Sequence, residues 1–275
     1  MKHRIVSLAP SATSILVALG ARRELVGVSK WCADVAPEVA KLPRVGDCWA
    51  LDQESVMSLR PTLLIGSVPY KQETVAKLLE HPVAFLAMNP RSLADVEADI
   101  HLLGGIVGRA LAARKLVARM RADFQAIRMQ ARRVRGSGSA KMRAPRVYCE
   151  AWPHPRIVSP PWVAELVEIA GGEMVVPAGK RISDEEVARA KPDVIVLAWA
   201  ATGEKSDPQQ TYDVAAWSEI PAVCDRRVYV VRDELLNTPG PPLVDGAREL
   251  LRLLYPNASG QLANTRVNPM KRSRR

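Results

Sequence analysis

Phenylalanine is nearly missing from this chain: two in 275 residues, against six tryptophans. A core with so little phenylalanine must be filled by aliphatic side chains, so the indoles need explaining by where they fall. No apolar run approaches the ~18 residues a membrane span needs. Met1-Lys2-His3 leads straight into a strand at 4–9, with no separate apolar segment or small-residue cleavage site. That pattern predicts a chain that stays in the cytoplasm, or a periplasmic one whose start lies elsewhere. The four cysteines (Cys32, Cys48, Cys149, Cys224) show no CxxC spacing, which leaves zinc and thioredoxin-like chemistry without support. Free, mostly buried thiols are expected; a Cys32–Cys48 bridge would need an oxidising compartment. GxSxG, HExxH, P-loop and GxGxxG motifs are all absent, and His3, His81, His101 and His154 include no pair at i, i+4. Nothing stands at metal-ligand spacing, and no cofactor is expected. His154, beside Trp152 and between two prolines, is the one histidine placed near a ligand site.

The net charge of +10 is unevenly spread. Residues 109–146 hold twelve Lys/Arg and one acid, Asp123, and residues 266–275 add five basic residues and no acid. The remainder is mildly acidic. A nucleic-acid partner is therefore not expected, because the basicity belongs to one connecting helix and a polar tail without periodicity.

What the chain does contain is a copy of itself. Residues 51–67 (LDQESVMSLRPTLLIGS) recur 131 positions later at 182–198 (ISDEEVARAKPDVIVLA). Each copy opens on an acid-rich helical start, passes a basic-Pro step (Arg60-Pro61, Lys191-Pro192) and enters a short aliphatic strand. RIVSLA at 4–9 is echoed by RVYCEA at 146–151. Strands are predicted at 4–9, 25–29, 63–66, 83–87, 146–150, 193–198 and 227–231. Helices are predicted at 14–19, with hydroxyls of 11–13 as N-caps, and at 53–59, 72–79, 162–170, 184–190 and 243–254. Strands alternating with helices imply parallel sheets covered on both faces. Ser92 caps a segment that Gly104-Gly105 is expected to interrupt. A second segment, 109–134, carries Val117, Met120, Phe124, Ile127, Ala131 and Val134 in one apolar stripe, and residues 136–140 (GSGSA) form its exit. Two similar α/β lobes make a cleft between them, the usual place for a small ligand.

In open parallel sheets ligands sit outside the carboxyl ends of the strands. Trp31, Trp152 and Trp199 directly follow strands, as does Tyr70, while Trp49 and Trp162 fall in loops or at element edges. Each could plug its own lobe; several from both lobes together suggest aromatic cleft walls. Exposed acids after the strands, Glu73 in the first lobe and Glu204 or Asp207 in the second, are either a solvated face or docking points for a basic partner.

These residues (RIVSLAPSATSILVALG at 4–20, LVGVS at 25–29, the repeated helix-basic-Pro-strand unit and the long middle helix) resemble the vitamin B12/iron-siderophore class of substrate-binding proteins of ABC importers, most of all its cobalamin-binding branch. The resemblance spans about residues 4–255. It implies an α/β fold of two Rossmann-like lobes with mostly parallel sheets joined by one long, rigid interlobe helix. The expected boundaries are 1–91, 92–144, 145–255 and a basic disordered tail, 256–275. It also implies a monomeric, non-enzymatic carrier that holds a corrinoid between facing aromatics and meets an ABC importer permease through one glutamate per lobe. Carried onto this chain, the ligand-binding set is Ser11, Trp31, Trp49, Tyr70, Trp152, Trp199 and Asn237, the last within the loop 233–237, with Glu73 and Glu204 for docking. Haem and a ferric siderophore ask for similar walls. The rival readings are intracellular corrinoid or tetrapyrrole handling, a chelatase-like enzyme built around His154, and an adaptor that binds RNA or anionic membrane through the 109–146 stripe.

Overall fold

The computed structural model describes residues 3–46, 51–67, 71–136, 143–200 and 207–256. The first lobe runs β1 (Ile5–Ser7), α1 (Pro10–Ala18), β2 (Leu25–Val28), α2 (Cys32–Val35), α3 (Gln53–Ser58), β3 (Leu63–Ser67), α4 (Gln72–Leu78) and β4 (Ala84–Met88). Then come α5 (Leu93–Ile106) and α6 (Ala110–Gly136). The second lobe follows as β5 (Arg146–Pro153), β6 (Arg156–Val158), α7 (Pro161–Ile169), β7 (Glu173–Met174), α8 (Asp184–Ala190) and β8 (Val194–Leu197). It ends with α9 (Gln209–Tyr212), α10 (Pro221–Cys224), β9 (Val228–Val230), α11 (Asp233–Asn237) and α12 (Leu243–Leu254).

The internal repeat is structural. Sheet one has the order β2-β1-β3-β4, all parallel, and sheet two places β7, β5, β8 and β9 in the matching parallel order. Even the register repeats, with Ile5 opposite Leu63 and Val147 opposite Val194. In both copies a side chain caps the helix (Asp52 and Ser183), a wholly buried valine anchors it (Val56 and Val187), and a left-handed basic residue ends it (Arg60 at φ 47°, Lys191 at φ 44°). The next residue is proline in each case, which keeps the helix from continuing. The second sheet alone adds an antiparallel neighbour, β6, folded back from β5 through a turn containing the cis His154–Pro155 bond.

Alternation along the strands divides the core. Ile5, Leu63, Ile65, Val147, Cys149, Val194 and Val196 face one apolar core that is continuous through both lobes. Val6 and Leu64 face a smaller core under α3 and α4, and Tyr148, Ile195 and Leu197 face another under α8. Both faces of each sheet are thus covered, as near-continuous aliphatic strands require.

Helix α6 is the brace. It packs on α5 of the first lobe and on α7 and α12 of the second. Its predicted stripe is real: Val117, Met120, Phe124, Ile127 and Ala131 are buried and Val134 half-buried. Two expectations about the helices fail. Gly104-Gly105 does not interrupt α5; a Cβ on Gly104 would stand 2.5 Å from that of Ala113, so this glycine serves close α5–α6 packing. The turn comes later, at Gly108 with φ 65°. Helix α1 starts at Pro10 rather than at residue 14, because proline is pre-set for the first helical position. The hydroxyls of 11–13 therefore lie inside its first turn, and the N-cap is Ala9, without a side-chain bond.

Candidate functional site

The carboxyl ends of both sheets carry the candidate residues. In the first lobe, Trp31 stands between β2 and α2, half-buried, with Lys30 Nζ 4.6 Å from its ring centroid. Its footing is tightly bonded. Thr13 Oγ1 donates to Ser7 Oγ at 2.8 Å and lies 3.0 Å from Cys32 Sγ, and Ser29 N donates to Ser7 O at 2.9 Å. β1, α1 and α2 are thereby joined next to Trp31 in the chain. Cys32 is a free thiol whose pKa is raised, chiefly by burial, which marks it as a packing group rather than a nucleophile. Cys149 is likewise buried and free, pushed up to about 12, whereas Cys224 is exposed.

The second lobe presents Trp152 near the end of β5, 41% exposed, its Nε1 donating to His154 O at 3.0 Å. Just below lies a buried polar knot. Glu150 accepts from Tyr148 Oη (2.6 Å), Arg156 Nη1 (2.9 Å) and Trp199 Nε1 (2.8 Å). Arg156 also pairs with Asp184, and its guanidinium lies 4.1 Å from the ring centroid of Trp217, whose Nε1 donates to Asp184 O. Burial, reinforced by the charge of Glu150, raises the Tyr148 pKa, so the phenol stays protonated and donating. This knot fixes β5, β6, α8 and the segment after β8 in one arrangement. Its sequence signals, an Arg directly after a turn and a Glu inside an aliphatic strand, name neither partner.

Three candidates change character. Trp199 is 4% exposed and packs in the second lobe's own core, so it supports the rim from behind and is not an open wall. Its indole N–H needed a buried acceptor, and Glu150 supplies it. Ser11 is buried: its carbonyl accepts from Ser14 Oγ, and the second lobe's Gly240 sits so close that an added Cβ would meet Ser14 Oγ at 2.9 Å. Asn237 belongs to helix α11 rather than to a loop; its Nδ2 donates to Ala198 O at 2.7 Å. Trp162, from the first turn of α7, holds the same helix by donating to Leu236 O at 2.8 Å. Trp49, Tyr70, Glu204, Cys48, the 137–140 exit and the tail from 257 onward lie outside the described residues.

The lobes meet at several points besides α6. Gly240 packs on α1, Arg232 Nη2 donates to Asp34 O at 3.4 Å, and Leu93 N donates to Glu165 Oε1 at 2.8 Å. Contacts of this kind resist hinge opening. Glu73 is exposed in the first turn of α4, in a hollow of ≈ 460 Å³ that Leu51, Asp52, Lys71 and Lys77 also line. Asp207 Oδ1 accepts from Gln209 N two residues ahead of α9. His154 is exposed, and among the described residues no group of three His, Cys, Asp or Glu could hold a metal.

Paired parallel α/β lobes, fixed by one spanning helix and carrying aromatics at their strand ends, define a ligand carrier rather than a catalyst. The chain belongs to the periplasmic binding protein family, whose model matches residues 5–235. It is 30% identical over 265 residues to an uncharacterized ABC transporter substrate-binding lipoprotein of Bacillus subtilis, covering 92% of this chain and 80% of that one. To the vitamin B12-binding protein of Pectobacterium carotovorum it is 25% identical over 270 residues, with 94% and 92% covered. Its fold superposes on the periplasmic heme-binding protein RhuT from Roseiflexus sp. RS-1 with a TM-score of 0.78 at 26% identity, covering 94% and 100%. Members of the family are non-enzymatic carriers of large ring ligands that work with ABC permeases, so the chelatase reading is set aside. The expectation of a cytoplasmic chain is overturned, and intracellular handling with it: the Bacillus relative is a lipoprotein and the Roseiflexus one periplasmic, and they point outside the cytoplasm.

Proposed function

We propose that this protein is the extracytoplasmic substrate-binding component of an ABC importer, and that its ligand is a corrinoid held between the lobes. The observation that carries the reading is a pair of accessible indoles, Trp31 and Trp152, one per lobe, each on a hydrogen-bonded footing. Flat apolar faces that need no ordering suit a flat, partly apolar ring, because a preformed site avoids the entropic cost of assembling one. A corrinoid also offers peripheral amides to polar rim groups such as Lys30 and Arg232. Glu73 is proposed as the first lobe's contact with the permease, its carboxylate facing a basic residue there.

Haem is the second reading, favoured by the likeness to a heme-binding structure. It asks in addition for an axial side chain, for which His154 is the candidate among the described rim residues. A titration of the purified protein with hydroxocobalamin, haem and a ferric siderophore, followed in each ligand's own visible spectrum, separates the readings. The corrinoid should bind at micromolar concentration or tighter and outcompete the others. Saturation by haem alone would replace the ligand named here, and no spectral change with any of the three would sink the carrier reading.

A further inference from the structure

The carrier reading leaves the outer face of α6 unused. Its buried residues, Ala113, Val117, Met120, Phe124, Ile127 and Ala131, define the side turned to the lobes. At ~100° per residue, the opposite side falls along Leu111, Lys115, Ala118, Ala122, Met129 and Arg133. This outer face mixes small and apolar side chains with cations and is open: Leu111 is 59% and Met129 40% exposed. Arg114, Arg121, Arg128 and Arg132 run down one flank, and Arg119 lies on the other. The helix's one acid, Asp123, is turned toward Arg248 at 2.7 Å. Arg121 is neutralised by Glu97, whereas Arg114, Lys115, Arg128, Arg132 and Arg133 are exposed and pair with no carboxylate among the described residues.

We infer that this face of α6 is a docking surface for an anionic lipid bilayer. Exposed apolar side chains set among and beside long cationic ones form an arrangement that settles in the boundary between headgroups and acyl chains, the apolar groups inward and the snorkelling cations beside the phosphates. Each cation near such a surface strengthens adsorption roughly fivefold, so five unpaired ones constitute a real affinity even with few apolar side chains. Single-stranded nucleic acid fits less well. It is held by aromatic stacking, and Phe124, the one aromatic on α6, is buried on the other side.

The test is co-sedimentation of the full-length protein with phosphatidylcholine vesicles, with and without phosphatidylglycerol at about one lipid in three. The protein should pellet with the anionic vesicles, stay in solution with neutral ones, and be released as salt rises. Combined Arg114→Glu, Arg128→Glu and Arg132→Glu should lower partitioning at least roughly tenfold while melting temperature and ligand binding are kept; the Gln versions should give a smaller loss. Leu111→Ser with Met129→Ser, which changes no charge, should also weaken it. The inference is overturned if wild type ignores anionic vesicles, or if the charge-reversed protein pellets equally, since the basic residues after 265 would then be responsible. It also fails if the Ser pair is without effect and a single-stranded RNA binds α6 in place of lipid.

Discussion

Glu150 shows how a carboxylate can lie wholly buried without becoming a reactive group. It is 0% exposed, yet three donors from β5, β6 and the segment after β8 reach it, and Arg156 carries the balancing charge. A buried pair of this sort contributes little net stability against apolar replacement, but removing one partner strands the other. Glu150→Ala should therefore destabilise the protein by about 3–5 kcal/mol, read as a lowered urea midpoint. Glu150→Gln keeps the shape without the charge and should cost less. An unchanged midpoint in the Ala variant would show that water or a rotamer change replaces the knot. The same geometry explains why Trp199, placed at the cleft by its position after a strand, is buried in its own lobe. Position after a strand says which end of the sheet a side chain occupies, but its burial depends on a partner 49 residues earlier in the chain.

The repeated helix-basic-Pro-strand unit was readable because its information is local. Capping side chains, an aliphatic strand and proline each act within a few residues, so α3, β3, α8 and β8 fell close to their predicted bounds. The stop signal has a cost. Arg60 and Lys191 hold φ near 45°, where a Cβ crowds the backbone. Lys191→Gly should stabilise the protein by about 0.5–1 kcal/mol, visible as a raised melting temperature, with ligand affinity unchanged. A loss of stability would mean that the lysine side chain contributes contacts exceeding the strain. Elements whose signals were non-local were harder to read. β6 depends on pairing with β5 through a turn, and α11 is a short helix held from other parts of the lobe, by Trp162 Nε1 and by Ala198 O, which accepts from its Asn237. Gly104 of α5 is unreadable for the same reason: its purpose, the approach of Ala113, lies on a different helix.

At the level of the assembled protein, one apolar core passes through both lobes, and α6, Gly240, Arg232 and Glu165 each contact both sides or bridge them. The two-lobe architecture was evident from the repeat. The lobes' mutual packing was not, because it rests on a glycine and on single hydrogen bonds that carry no periodic signature. On the proposed function, rigid lobes make Trp31 and Trp152 fixed walls, and the ligand's grip should depend on both rings. The most direct measurement is the affinity of Trp31→Ala and Trp152→Ala for whichever tetrapyrrole-like ligand the wild type takes up. Each variant should fold normally and lose about 1–3 kcal/mol of binding free energy. Wild-type affinity in both would contradict the account, placing the ligand somewhere other than between these two indoles.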